Sequence, residues 1–159
     1  MRLLVASVLI ALSGFVYAAS TQSSLTLDHP SVVAVFTPDA DVSAAHRNSD
    51  DFVEFMSDFN FYGSSLASEL RGRKDVAFIT SSATTFIFKG AEHRPITRKA
   101  LSGYGFIIYV PGKPPTIFEG VATDSDVLCA LKQLAPKIRV PAQCEPNPSS
   151  KRTRVPRAA

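Results

Sequence analysis

The chain has no tryptophan, two cysteines, three histidines and eight glycines in 159 residues. His29, His46 and His93 are not spaced at i, i+4, and no Cys or carboxylate completes a pattern such as H-x-x-x-H, so no metal-ligand motif is present. The few glycines form no G-x-S-x-G elbow, P-loop or dinucleotide-binding run, which removes the usual hydrolase and nucleotide signatures. Ser64, Ser65, Ser81 and Ser82 read as polar helix-face and turn residues rather than nucleophiles. No apolar run reaches the roughly 20 residues of a membrane-spanning helix. Neither cofactor nor metal is expected.

The longest apolar run lies at the start. Arg2 precedes Leu3-Leu4-Val5-Ala6-Ser7-Val8-Leu9-Ile10-Ala11-Leu12, and Val16-Tyr17-Ala18 supplies a small-residue cleavage site. This is the layout of a secretory signal peptide over residues 1–18. Ala19, not Cys, follows the cleavage site, which argues against a lipid-modified form. The expected location is periplasmic or secreted, and 141 residues remain, enough for one domain.

Charge is unevenly spread. Residues 145–159 carry Lys151, Arg152, Arg154 and Arg157 against Glu145, a net of +3. The whole chain is also +3 and Arg2 contributes +1, leaving −1 on residues 19–144. The segment from Pro146 to Arg152 has nothing apolar to bury and reads as a disordered basic tail. No aromatic residue interleaves with its cations, so the stacking pattern of a nucleic-acid binder is missing. A tail that tethers an assembly component is a further possibility of the pattern.

Between leader and tail the elements alternate. Residues 19–30 read as a polar leader, and Val32–Phe36 as a strand buried on both faces. Phe52, Phe55, Met56, Phe59, Leu66 and Leu70 recur at helical spacing, with Ser49, Asp50 and Asp51 at the N-terminal end and Arg71-Gly72-Arg73 as a stop. Val76–Thr80 is a second strand, Thr84–Phe88 a third or its continuation, and Lys89–Gly103 a basic irregular linker. Gly105–Val110 and Thr116–Val121 form a hairpin across Pro111-Gly112-Lys113-Pro114. Thr123 opens a last helix whose stripe is Val127, Leu128, Leu131, Leu134 and Ala135.

These residues (Val32–Phe36, the Asp51–Leu70 helix, Val76–Thr80, Gly105–Val121 and Asp124–Ala135) make the chain resemble the thioredoxin-like superfamily over about 100 residues. The resemblance implies an α/β sandwich, its central mixed sheet of about four to five strands flanked by helices, over residues 31–144. It also locates the functional end at the loop after the first strand. Redox relatives keep Cys-x-x-Cys there, where a helix N-terminus lowers a thiol pKa. This chain has Thr37-Pro38-Asp39-Ala40-Asp41-Val42-Ser43-Ala44 instead. Those relatives also keep a Pro before the hairpin strand, where this chain has Leu101-Ser102-Gly103-Tyr104.

Cys129 points roughly 150° away from the apolar stripe of its helix, at 100° per residue. Pro136 and Pro141 can turn Cys144 back over that outer face, and in an oxidising compartment the two are expected to pair as a staple. A switchable or catalytic pair, free thiols and an intermolecular bridge are the alternatives. The reading is a non-catalytic binding or accessory protein acting on another extracytoplasmic protein, with Asp39, Asp41, His46 and Tyr104 as the binding surface. Taken alone, His46 beside Asp39 and Asp41 is an exposed loop histidine or at most a weak acid–base or metal grouping. The competing reading is a divergent thiol-disulfide oxidoreductase using Cys129 and Cys144. Two further surfaces are Phe61 with Tyr62, and the basic residues Arg94, Arg98 and Lys99 next to Tyr104.

Overall fold

A computed structural model describes residues 23–90, 93–140 and Cys144. The expected leader over residues 1–18 and the basic segment 145–159 lie outside these residues. The chain runs β1 (Ser24–Leu27), β2 (Ser31–Val35), a 3-10 turn (Asp39–Asp41), α1 (Ala44–Arg47), α2 (Asp50–Glu69), β3 (Ala77–Ser81), β4 (Thr85–Phe88), β5 (Ile96–Thr97), a second 3-10 turn (Arg98–Leu101), β6 (Gly105–Tyr109), β7 (Thr116–Glu119) and α3 (Asp124–Leu134).

Four strands form a mixed sheet in the order β3-β2-β6-β7. β2 runs parallel to β3, as a helical crossover requires, and antiparallel to β6; β7 then folds back on β6 as the expected hairpin. All five residues of β2 and all five of β6 are buried. Their side chains alternate between two cores, which is why both read as continuous apolar runs. Val32, Ala34, Phe106 and Ile108 pack with Phe59 and Leu66 of α2 and with Val127, Leu128 and Leu131 of α3. Val33, Val35, Ile107 and Tyr109 face the other way, onto Leu27, Phe86, Phe88, Ile96 and Leu101.

That second core corrects the expected architecture. The two long helices cover one face of the central sheet, and a second sheet, in the order β1-β4-β5, covers the other. The polar leader therefore includes a strand: Ser24–Leu27 pairs in parallel with Thr85–Phe88, and Leu27 is buried. Thr85–Phe88 is a separate strand of this second sheet rather than a continuation of β3. Part of the linker is also ordered, because Ile96 pairs with Phe86 and buries itself together with Leu101.

Local chemistry sets the helix limits. Thr123 caps α3 by accepting the Asp126 N–H at 3.2 Å, and Asp124 and Asp126 place negative charge in the first turn, where the helix dipole favours it. α2 carries Asp50 and Asp51 in its first turn and passes Gly63 without interruption. Cys129 and Cys144 are joined by a disulfide with 5.4 Å between their Cα atoms, as the pairing on the outer face of α3 requires.

Candidate functional site

At the carboxyl end of β2 the chain leaves the sheet through Phe36, Thr37 and Pro38 and makes two short helical turns before α2. A second loop, residues 101–105, meets it. The Thr37 hydroxyl donates to the Gly103 carbonyl at 3.0 Å, and the Tyr104 hydroxyl donates to the Thr37 carbonyl at 3.3 Å. The approach is close enough that a Cβ on Gly103 would clash with Thr37 Oγ1. Gly103 has φ +93°, so glycine is needed there on both counts. The Gly120 N–H donates to the Tyr104 carbonyl at 2.9 Å and ties in the end of β7.

Between these loops and α2 lies a cleft of about 350 Å³ lined by His46, Asp51, Phe52, Phe55, Leu101, Ser102, Tyr104, Glu119 and Gly120. Its floor is aromatic. Tyr104 meets Phe52, Phe55 and Phe59 edge-on, with ring centroids 5.9, 5.3 and 5.8 Å apart. The His46 ring lies 4.6 Å from Phe52. The rim is acidic: Asp51 and Glu119 are exposed, and the Ser102 hydroxyl donates to the Glu119 carboxylate. Open sheets commonly bind ligands at the carboxyl ends of strands, and this cleft has that position.

The structure brings two of the four expected binding residues together. His46 and Tyr104 line the cleft; Asp39 and Asp41 do not. Asp41 instead pairs with Arg98 at 3.2 Å, and Arg98 also donates to the Ser82 carbonyl at 2.7 Å. The expected basic surface around Tyr104 thus loses Arg98 to this pair, while Arg94 and Lys99 are exposed. Phe61 is 67% exposed and stands edge-on to Tyr62, as an apolar patch would. Phe52 and Phe55 share the helical spacing of the core residue Phe59 but are half-buried, at the edge of the core. Asp51, Ser102, Glu119 and Gly120 join the cleft without any motif in the sequence that marks them as site residues.

The cysteines take no part in this cleft. Cys129 lies in the middle of α3, away from the helix N-terminus that would favour a thiolate, and is bonded to Cys144. Among the described residues no group of three or more His, Cys, Asp or Glu side chains is placed to hold a metal ion, and no helix is long and apolar enough to cross a membrane.

Burial holds the Tyr104 hydroxyl above its ordinary pKa; Asp39 adds to the rise, while the hydrogen bond to Thr37 and the charge of Arg98 oppose it. Tyr109 is raised in the same direction, first by burial and then by Asp28. A folded-state pKa above the unfolded value means that the folded chain keeps its proton where the unfolded chain loses it. Stability from these tyrosines is therefore complete below about pH 10 and falls as pH rises through that value. Urea midpoints between pH 8 and 11 should decline above pH 10, and Tyr104→Phe with Tyr109→Phe should flatten the decline.

No family model, curated protein or solved structure matches this chain.

Proposed function

We propose that the chain is an extracytoplasmic protein of thioredoxin-like architecture that binds another protein through the aromatic cleft and performs no thiol chemistry. The observation that carries this reading is the cleft itself. It sits at the carboxyl end of the first core strand, where redox relatives of the resembled superfamily hold their thiols, and no cysteine lines it.

Support for the architecture comes from the β3-β2-β6-β7 order, with a helix crossing between parallel β2 and β3 and a β6–β7 hairpin followed by α3. The three-stranded sheet on the opposite face departs from the helix cover that the resemblance implies. Support for the compartment comes from the leader pattern in residues 1–18 and from the disulfide. The chemistry of the cleft suits recognition: aromatic rings offer large contact area at small entropic cost, and rim carboxylates orient a polar or cationic group.

The test is site-specific photo-crosslinking in the cell envelope. A benzophenone side chain introduced at Ser102 or Glu119 should give a discrete protein adduct, and one at Lys132 on the exposed part of α3 should not. Equal labelling from all three positions, or none from the rim, contradicts the assignment.

A further inference from the structure

The cleft has an acidic rim over an aromatic floor, and the same chain carries a segment of opposite charge. Asp51 and Glu119 stand at the rim, and among the lining residues His46 is the single side chain able to carry positive charge. Residues 145–159 hold Lys151, Arg152, Arg154 and Arg157 against Glu145. We infer that this basic segment docks in the cleft of its own chain, with an arginine laid over Phe52 and Phe55 and its guanidinium directed to Asp51 and Glu119. The inference rests on the cleft being the binding surface proposed above, and it adds regulation: the segment competes with the partner.

Three observations support this occupant. The first is chemical fit. An arginine has an apolar stem and a planar cation that stacks on aromatic rings and donates in a fork to carboxylates, and this cleft offers both surfaces side by side. The second is charge separation along the chain, since residues 19–144 are net −1 and residues 145–159 net +3.

The third is reach. The disulfide anchors the start of the segment 5.4 Å from Cys129, measured between Cα atoms. From Cys129 back to Asp124 is about 7.5 Å along α3, and from Asp124 to the cleft residue Gly120 at most about 14 Å. Cys144 thus lies under about 30 Å from the cleft by this path, whereas ten residues, enough to bring Arg154, span about 33 Å. Tethering at this range gives at most a millimolar effective concentration, so a Kd of about 0.1 mM or tighter is needed to keep the cleft largely occupied.

The experiment is amide NMR on residues 19–159, on a form ending at Cys144, and on the full-length double variant Arg152→Glu with Arg154→Glu. Removing the segment should shift amides of residues 46–55, 102–104 and 119–120, and the double variant should match the shortened form at those amides. Peptide 145–159 added to the shortened form should restore the original positions, with an affinity that falls about tenfold between 50 and 500 mM salt. Asp51→Asn with Glu119→Gln should remove the response to the peptide. Identical cleft amides in all three proteins, or peptide-induced shifts confined to other surfaces, would overturn the inference. If the cleft ignores the peptide while rim crosslinks persist, docking of the segment fails and the binding reading survives.

Discussion

Phe106→Ala is expected to lower stability by about 3–5 kcal/mol, the cost of deleting a fully buried aromatic ring and leaving a cavity. Phe106 is the second residue of β6, opposite Ala34 of β2 and Phe118 of β7, with no exposed surface. Its ring stacks 5.2 Å from that of Phe59, which in turn contacts Tyr104. The loss therefore falls where α2 meets the central sheet, directly behind the cleft floor. Urea denaturation should show a large drop in midpoint, while Val53→Ala, on an exposed part of α2, should stay within about 0.5 kcal/mol. A loss under about 1.5 kcal/mol for Phe106→Ala would mean that the helix-side core is not packed as described.

Replacing both cysteines, Cys129→Ser with Cys144→Ser, is expected to lower stability by about 3 kcal/mol, mainly by freeing the unfolded chain. The bridge closes a sequence separation of 15 residues. For a chain of this size the melting temperature should fall by roughly 10 °C. The cleft should keep its shape at temperatures where the variant is folded, because α3 is also held by Val127, Leu128, Ala130 and Leu131, all buried. Rim crosslinking by the double-serine variant should therefore match that of the parent. Lost crosslinking in a folded double-serine protein would connect the disulfide to function.

The sequence makes legible those elements whose partners are near or whose pattern is long. α2 spans 20 residues with a repeating apolar face, β2 and β6 are unbroken apolar runs, and the β6–β7 hairpin is marked by its Pro-Gly turn. β1 is different: Ser24-Leu25-Thr26-Leu27 alternates, but four residues give a weak signal and the paired strand starts at Thr85. β5 has two residues and no periodicity at all. The second sheet therefore arises from long-range pairing that local pattern does not report.

The candidate site divides in the same way. The loop after β2 could be singled out, and His46 and Tyr104 do reach the cleft. Asp39 and Asp41 carry the same loop signal, but Arg98, 57 residues from Asp41, draws Asp41 into an ion pair. Helical periodicity places Phe52 and Phe55 on the apolar face without saying how close that face runs to the edge of the sheet. Glu119 and Gly120 arrive by the return of the hairpin, which fixes their register only once β7 is paired with β6.

The most direct test of the central claim, binding without thiol chemistry, is the reduction potential of the Cys129–Cys144 pair, read by intact mass across a series of redox buffers. A cysteine in mid-helix, bonded to its partner and absent from the cleft lining, should behave as a structural staple. The expected value is below about −300 mV. A value of about −120 to −200 mV, the range of catalytic and isomerase-like pairs, would contradict the account and make the chain a redox protein with displaced cysteines.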